Sequence, residues 1–447
     1  MKRKIEHQLA SWKETKGHLP LIIKGIRQCG KTYSVLDFVR KNYSHYVYIN
    51  FLEDKRFKSA FNQSFSVDDI IISLSALTND VSALVAGGSC IVLDEIQECP
   101  EARTALKFFH LDGRFDVIGT GSLLGVSGYG KEPSSIPVGY ETVLDMYPMD
   151  FEEFLWAIGD EVTMDVIREA FMAKHGVGGR AHHEIMKSFR TYIAVGGMPQ
   201  AVASFVAGET YAQIDFIKQS ILALYEEDLN KHDSENRENA SIVFKHLPEQ
   251  LNRKNPIFKM SSINKNARFK NYIGSFNFIR ESMIGNICVN TTVPEIAMEL
   301  YRKSERFKLY MGDTGLLVTQ MIKMQKSDEL YESLIADKLG INQGMLFENI
   351  VAQMLRAKGD DLFFHEFTAH DKDSEKEKKF EIDFLLVRKN KICPIEVKSS
   401  SYRQHKSLDV FSQKYRLKLP QKIIVYTKDF LIEDGITYLP IYMVPCL

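Results

Sequence analysis

The sequence predicts an α/β protein built on a parallel sheet, and three observations carry that prediction. Leu21-Ile22-Ile23 leads into Gly25-Ile26-Arg27-Gln28-Cys29-Gly30-Lys31-Thr32, and the helix-like Ser34-Val35-Leu36-Asp37-Phe38-Val39 follows. Apolar strand, glycine loop and helix is the context in which the pattern GxxxxGK[ST] has physical meaning. Cys90-Ile91-Val92-Leu93 is a continuous apolar run that ends in Asp94-Glu95. It reads as a strand buried on both faces with its acids at the carboxyl end. The β-rich runs Tyr46–Phe51 and Phe115–Ser122 alternate with helical stretches, one of them at 68–77. That alternation makes the sheet parallel and puts a ligand at the carboxyl ends of its strands.

The residue types explain the chemistry. Gly25 and Gly30 let the backbone turn its N–H groups inward onto an anion. The helix start adds unpaired N–H groups and a positive dipole end. Lys31 reaches the β- and γ-phosphates, and the Thr32 hydroxyl ligates Mg²⁺. Asp94 sits beside the same ion, and Glu95 polarises the attacking water. Thr120 or Ser122, at the end of its strand, offers a hydroxyl to the γ-phosphate. The expected cofactors are therefore ATP and Mg²⁺. The glycine- and serine-rich 121–135 reads as a loop beside this site. Upstream, residues 4–15 read as a helix with Ile5, Leu9 and Trp12 on one face.

Bulk properties set bounds. A chain of 447 residues suggests about three domains. Apolar content of 45% and charged content of 26% are ordinary for a globular protein. The net charge of −1 excludes a global field for nucleic acid, so such contact must come from local patches. None of the six cysteines forms a CxxC pair, which argues for reduced thiols in a cytoplasm and against a disulfide framework or a zinc site. Met1-Lys2-Arg3-Lys4 is basic but no apolar stretch follows, so no signal peptide is expected. No apolar run approaches the length that spans a bilayer.

The middle of the chain is helical. Phe151–Ile158 and Val162–Lys174 have helical spacing, 176–179 breaks them, and a further helix ends at Ala194. Gly196-Gly197 gives a tight bend, and Pro199 restarts a helix. His182 and His183 are adjacent and read as exposed polar residues. Ala240–Leu247 is a helix stopped near Pro248, and Ser261–Arg280 holds two short ones. Ile284–Val293 reads as a β-ribbon turning at Gly285-Asn286 or Asn290, so helices followed by a ribbon suggest a winged helix. Residues 250–280 hold Arg253, Lys254, Lys259, Lys265, Arg268, Lys270 and Arg280, with Phe258, Phe269, Tyr272, Phe276 and Phe278 interleaved. Apart from Gln250-Leu251-Asn252 at its start, that segment is rich in basic residues and carries no acid, an electrostatic footprint for a DNA backbone. In Lys308–Leu317 a strand enters a glycine turn where Asp313 caps the next helix.

The last stretch carries a second constellation. Gly344–Val351 is an amphipathic helix with Glu348 among apolar neighbours. Phe363–Phe367, Phe380–Val387 and Ile392–Lys398 are strands, 371–379 is a charged hairpin loop, and Asn390 closes a turn. Glu396 and Lys398 are two apart, so they share a face, and Asp383 on the preceding strand converges with them. Two carboxylates with a lysine suit Mg²⁺ or Mn²⁺ at a phosphodiester, where Lys398 stabilises developing charge.

Gly25–Thr32, Val92-Leu93-Asp94-Glu95-Ile96-Gln97, Gly119-Thr120-Gly121-Ser122 and Tyr147–Phe154 together resemble a prokaryotic AAA+ ATPase family. Asp383, Glu396, Val397 and Lys398 resemble the PD-(D/E)xK nuclease pattern, with Ile382 where the pattern has proline, and Glu348 resembles its accompanying helix acid. The resemblance implies a P-loop NTPase core at 1–150, a helical lid at 151–210, a winged-helix module at 211–325 and a mixed α/β restriction-endonuclease-like domain at 326–447. It implies DNA as partner, Thr32 and Asp94 as ligands of one Mg²⁺, and Glu348, Asp383 and Glu396 as ligands of a second metal. One departure bears on hydrolysis. The family often has an arginine before the Pro148-Met149-Asp150-Phe151 run, where this chain has Val138-Gly139-Tyr140-Glu141. The completing arginine is then expected from Arg103 or Arg114, of this chain or of a second copy in a homo-oligomer.

Overall fold

Five strands, all parallel, form the N-terminal sheet in the order β2-β3-β4-β1-β5. They are β1 (Leu21–Gly25), β2 (His45–Asn50), β3 (Ser89–Asp94), β4 (Asp116–Gly121) and β5 (Thr142–Met146). The structure, a computed structural model, describes residues 1–62, 64–77, 84–122, 139–236, 239–253, 255–325, 329–336, 343–371, 376–415 and 421–447. The chain divides into two compact units, residues 1–148 with 281–283 and residues 149–280 with 284–447.

In the first unit β3 is buried along its whole length, as its unbroken apolar run requires. From β1 the chain moves outward to β2, returns through β3 and β4, and crosses to β5 on the far side of β1. The glycine loop leaves β1 where that order reverses, the place an open α/β sheet offers a ligand. Ile22, Ile49, Ile91 and Leu93 pack with Ile70, Leu74, Leu106 and Phe109 from the covering helices. The predicted helix at 68–77 is Val67–Leu77, and the N-terminal one is Ile5–Glu14 with Ile5, Leu9 and Trp12 buried. Most of the loop expected at 121–135 lies outside the described residues.

The second unit opens with Phe151–Ala157, whose start is a capping box between Asp150 and Glu153. The helix Gly179–Val195 ends where Gly196 takes φ 86°, and Pro199 opens the helix Pro199–Val206. Pro248 does not simply stop a helix, because it lies in the first turn of Leu247–Leu251, where its missing N–H costs nothing. His182 is half-buried and not exposed, with its ring nitrogens on the Tyr442 hydroxyl at 2.9 Å and the Thr427 carbonyl at 3.1 Å.

The expected self-contained ribbon at Ile284–Val293 is not formed. Gly285–Thr291 is a single strand, β6, that pairs antiparallel with β7 (Arg302–Met311). It also pairs in parallel with β8 (Phe363–Asp371). An eight-stranded mixed sheet results, ordered β12-β13-β11-β10-β9-β8-β6-β7. Its remaining strands are β9 (Lys376–Arg388), β10 (Lys391–Val397), β11 (Lys422–Tyr426), β12 (Leu431–Glu433) and β13 (Ile436–Pro440). Most of the charged stretch expected as a loop is strand, because β8 and β9 extend their pairing to Asp371↔Lys376. Lys389 and Asn390 close the β9–β10 hairpin with φ 51° and 56°, the left-handed pair that a two-residue hairpin turn prefers.

Two glycine turns meet backbone to backbone in this unit. A Cβ on Gly315 would stand 2.4 Å from Gly196 Cα, and one on Gly197 would stand 2.1 Å from the Met149 carbonyl oxygen. Asp313, fully buried, caps the helix Thr314–Gln325 through Leu316 N at 3.0 Å and accepts Gly197 N at 2.7 Å. Beside it the fully buried Lys218 ammonium donates to Ala194 O at 2.7 Å, the Tyr331 hydroxyl at 2.9 Å and Gly315 O at 3.3 Å.

Two outcomes follow from this packing. Gly315→Ala is expected to destabilise the second unit by roughly 3 kcal/mol, since neither backbone can give way, and a urea midpoint unchanged from wild type would contradict it. Burial pushes Lys218 down to about 8, against the pull of Asp215 and Asp313. Between that value and the unfolded lysine range near ~10.4, the unfolded chain holds more protons, so this residue's contribution to stability rises with pH. The stability difference between wild type and Lys218→Met should therefore shift in favour of wild type by on the order of 2–3 kcal/mol from pH 7.5 to 10, read from urea titrations at each pH.

Candidate nucleotide site and carboxylate cluster

Gly30 takes φ 94° and the helix Lys31–Asn42 starts directly after it, so the loop delivers its N–H groups and a helix end to one place. Gly25 admits no side chain, because a Cβ there would lie 2.3 Å from the Met146 carbonyl oxygen at the end of β5. Lys31 is buried and donates to Gly25 O at 2.9 Å and Ile26 O at 3.1 Å, the carbonyls that begin the loop. Arg3 braces the outside, donating to Cys29 O at 2.7 Å and Tyr147 O at 2.8 Å.

Asp94 ends β3 as the hub of this site. Its Oδ2 accepts from the Thr32 hydroxyl at 3.0 Å, the Tyr48 hydroxyl at 2.8 Å and Asn50 Nδ2 at 3.3 Å. Its Oδ1 accepts from Glu95 N at 3.1 Å and from the Thr120 hydroxyl. Thr120 is fully buried with its hydroxyl on Asp94, so it supports the carboxylate and does not reach outward to a phosphate as the sequence suggested. Glu95 follows with φ 52°, a left-handed conformation that separates its side chain from that of Asp94. Gln97 Nε2 donates to Glu95 Oε2 at 2.5 Å. Burial raises the Glu95 carboxyl, and the Gln97 hydrogen bond and Lys31 oppose that rise. A hydroxyl and a carboxylate 3.0 Å apart beside a glycine loop are a fit for Mg²⁺, which prefers few protein oxygens.

Sequence reasoning missed Arg3, Tyr48, Asn50 and Gln97. The register β2–β3 pairs Asn50 with Asp94, so the signal was present in the alignment of two strand ends. The two arginines expected to complete hydrolysis are both engaged within the first unit. Arg103 grips Glu141 through 2.6 and 3.0 Å contacts, and Arg114 reaches Asp68 at 2.6 Å and Asp112 at 2.8 Å. Val138 lies outside the described residues.

In the second unit three acids, Glu348 from the helix Gln343–Ala357 and Glu381 and Asp383 from β9, come together around a lysine that was not anticipated there. Lys308 Nζ lies 2.6 Å from Glu381 Oε1, 3.4 Å from Glu348 Oε2 and 3.6 Å from Asp383 Oδ1, and the side chain is fully buried. The Tyr310 hydroxyl donates to Glu348 Oε2 at 3.0 Å. The register Ile395↔Phe384 of the β9–β10 hairpin sets Asp383 and Glu396 side by side one step further on. Asp383 Oδ2 accepts from Val397 N at 2.8 Å, and Lys398 Nζ lies 2.6 Å from Glu396 Oε1. Glu396 Oε2 is buried with no hydrogen-bond partner among the described residues. Burial pushes Glu348 and Glu396 up to about 7 each, with neighbouring Asp383 adding to both shifts.

Of Glu348, Asp383 and Glu396, expected as one metal-holding set, Glu348 and Asp383 share the Lys308 ammonium, and Glu396 pairs with Lys398. Among the described residues, no group of three histidines, cysteines or acids is arranged to hold a metal. The Lys308 ammonium stands among Glu348, Glu381 and Asp383 and offsets part of their charge.

The basic segment 250–280 also resolves into two parts. Phe258, Phe276 and Phe278 are core residues, with Phe258 and Phe276 packed on Phe307 at ring separations of 5.5 and 4.7 Å. Lys259, Lys265, Arg268 and Lys270 are exposed, Arg253 pairs with Glu249 at 2.6 Å, and Lys254 lies outside the described residues. The aromatics are therefore the floor on which the charges are displayed. Among the described residues no helix is long and apolar enough to cross a membrane.

Comparison with known proteins gives three family matches. Residues 18–155 match a model described as an AAA domain, and residues 186–328 and 343–444 match two domains of unknown function, DUF8612 and DUF4143. The uncharacterised protein MJ1544 of Methanocaldococcus jannaschii is 22% identical over 381 residues, covering 83% of this chain and 72% of that protein. Among solved structures, the Walker-type ATPase PABY2304 of Pyrococcus abyssi shares 14% identity over 72% of this chain and 96% of its own, with a TM-score of 0.42. The Aeropyrum pernix ORC2 protein shares 12% over 74% and 91%, with a TM-score of 0.32. The Thermotoga maritima RuvB Holliday junction branch migration motor shares 12% over 83% and 90%, with a TM-score of 0.28. Residues 18–155 match an AAA domain, and their parallel sheet and glycine loop are a P-loop fold.

Proposed function

We propose that the chain binds and hydrolyses ATP at the Gly25–Thr32 loop and uses the nucleotide cycle to act on DNA. The observation that supports this best is the Thr32–Asp94 contact at the mouth of the loop, held by Tyr48, Asn50 and Thr120. Loop N–H groups and Lys31 bind the phosphates, Thr32 and Asp94 would hold Mg²⁺, and Glu95, oriented by Gln97, takes the proton of the attacking water. When bound, the ion draws charge from the β- and γ-phosphate oxygens. Lys31 must exchange its bonds to Gly25 and Ile26 for the phosphates, which couples loop geometry to nucleotide. DNA would lie on the exposed Lys259, Lys265, Arg268 and Lys270, whose contacts are to phosphates and therefore not sequence-selective.

A second reading, that the C-terminal sheet cleaves DNA with a divalent metal, is favoured by one observation. Among the described residues, Glu396 Oε2 is buried without a hydrogen-bond partner beside Asp383 and Lys398. In that reading Asp383 and Glu396 hold the metal and Lys398 stabilises the developing charge.

Lys31→Ala should weaken ATP binding at least ~100-fold in a fluorescent-nucleotide titration, while Glu95→Gln should bind ATP normally and hydrolyse it ~10²–10⁴-fold more slowly. A Glu95→Gln enzyme with wild-type turnover would remove that residue from the mechanism. Neutralising Lys265, Arg268 and Lys270 together should weaken binding to all duplex sequences alike and lower the salt slope by roughly one unit per residue. An unchanged slope would move the DNA face elsewhere. Manganese-dependent nicking of plasmid that disappears in Asp383→Ala would establish the second reading, and no nicking by wild type would leave a nucleotide-switched DNA-binding protein.

A further inference from the structure

We propose that the Lys308 ammonium is a built-in cation that fills the cage formed by Glu348, Glu381 and Asp383, in the place of a divalent metal. The acidic face then has room for one metal ion at most, between Asp383 and Glu396. This concerns the cage alone and stands whether or not the domain cleaves DNA.

Three features support it. The cage draws one carboxylate from the helix Gln343–Ala357 and two from β9, and all three face one nitrogen at 2.6, 3.4 and 3.6 Å. A hard divalent cation would want the same oxygens at about 2.0–2.6 Å. Second, the ammonium is fully buried, and its Nζ stands 5.3 Å from the centre of the Phe364 ring. An ammonium locked so close to Asp383 repels any dication entering the cage. Third, hydrogen-bond accounting separates the two halves of the face. Glu348 and Glu381 are both engaged by Lys308, and Tyr310 adds a donor to Glu348. Glu396 keeps one buried oxygen without a hydrogen-bond partner among the described residues. The cage is complete as it stands, and the unmet demand for a cation lies only on the Asp383–Glu396 side. β7, which carries Lys308, comes from the segment before the nuclease-like sequence, so the filler is supplied by a different part of the chain from the acids it neutralises.

The test uses the nucleotide-free full chain and Mn²⁺ as probe, counted by electron paramagnetic resonance, with thermal unfolding in Mn²⁺ and in EDTA alongside. Comparing variant with wild type cancels any ion at the glycine loop. Lys308→Met is expected to bind one more Mn²⁺ than wild type, and its melting temperature should rise further with Mn²⁺ than that of wild type. Because removing the ammonium leaves three buried carboxylates, Lys308→Met with Glu348→Gln is measured beside it, keeping the charge balance of the wild-type cage. The double variant should gain the extra Mn²⁺, and adding Glu381→Gln should abolish the gain. A variant that folds only in Mn²⁺ is the same result read through stability. No extra Mn²⁺ in either variant would overturn the proposal, as would a wild-type chain that already binds an Mn²⁺ lost in Glu381→Gln.

Discussion

The carboxylate of Asp313 is the interaction on which the second unit depends. It accepts the N–H of Gly197 and caps the helix Thr314–Gln325, so two turns distant in sequence are fixed by one buried side chain. Around it the hydrogen bonds form a closed set. Met149 N donates to Gly197 O, Tyr192 donates to Met149 O, and Gln353 Nε2 lies on the Tyr192 hydroxyl. Asn349 and Gln353 from the helix Gln343–Ala357 return to Met311 and Thr314 beside Asp313. Burial raises the Asp313 carboxyl while the amides of Gly197, Leu316 and Gly315 pull it back, so the group is tolerable only because these donors are fixed. The glycines at 196, 197 and 315 are required because the backbones touch, and any side chain would hold the carboxylate away from its donors.

The two acidic centres show opposite solutions to the same cost. Asp94 is buried but surrounded by hydroxyl, amide and backbone donors that a metal ion can join without displacing a charge. The cluster on β9 carries several carboxylates, and dipoles alone would leave them in mutual repulsion, so an ammonium is built in. Neutral donors leave room for a ligand to come and go, whereas a buried ammonium already balances the acids beside it.

Much of the first unit was legible because its signals are local. A glycine loop between strand and helix, and an apolar run ending in two acids, each fit within ten residues. What was missed there, Tyr48, Asn50 and Gln97, acts through strand register and short turns that no local pattern encodes. The second unit was legible by element but not by pairing. The stretch 284–293 was read as a ribbon with a turn inside it, whereas it is one strand, and its pairing with β8 was invisible because the partner lies about seventy residues away. Lys308 sits in a segment read as a strand entering a turn, and nothing in Lys308-Leu309-Tyr310 announces that its ammonium ends among the acids of β9. His182 was misplaced for a similar reason, since its partners Thr427 and Tyr442 come from the far end of the chain.

The β6–β8 pairing has a consequence for how this chain can be divided or inherited. The two matched domains of unknown function end and begin between residues 328 and 343, yet that seam runs through one continuous sheet. A fragment started at residue 343 would lack β6 and β7, open a new strand edge at β8, and carry the β9 acids without Lys308. Neither segment is an independent module in the physical sense, so the pair must be gained, lost or transplanted as one piece. Family boundaries drawn along the sequence mark where similarity fades, while the unit that folds is set by the last strand that closes the sheet.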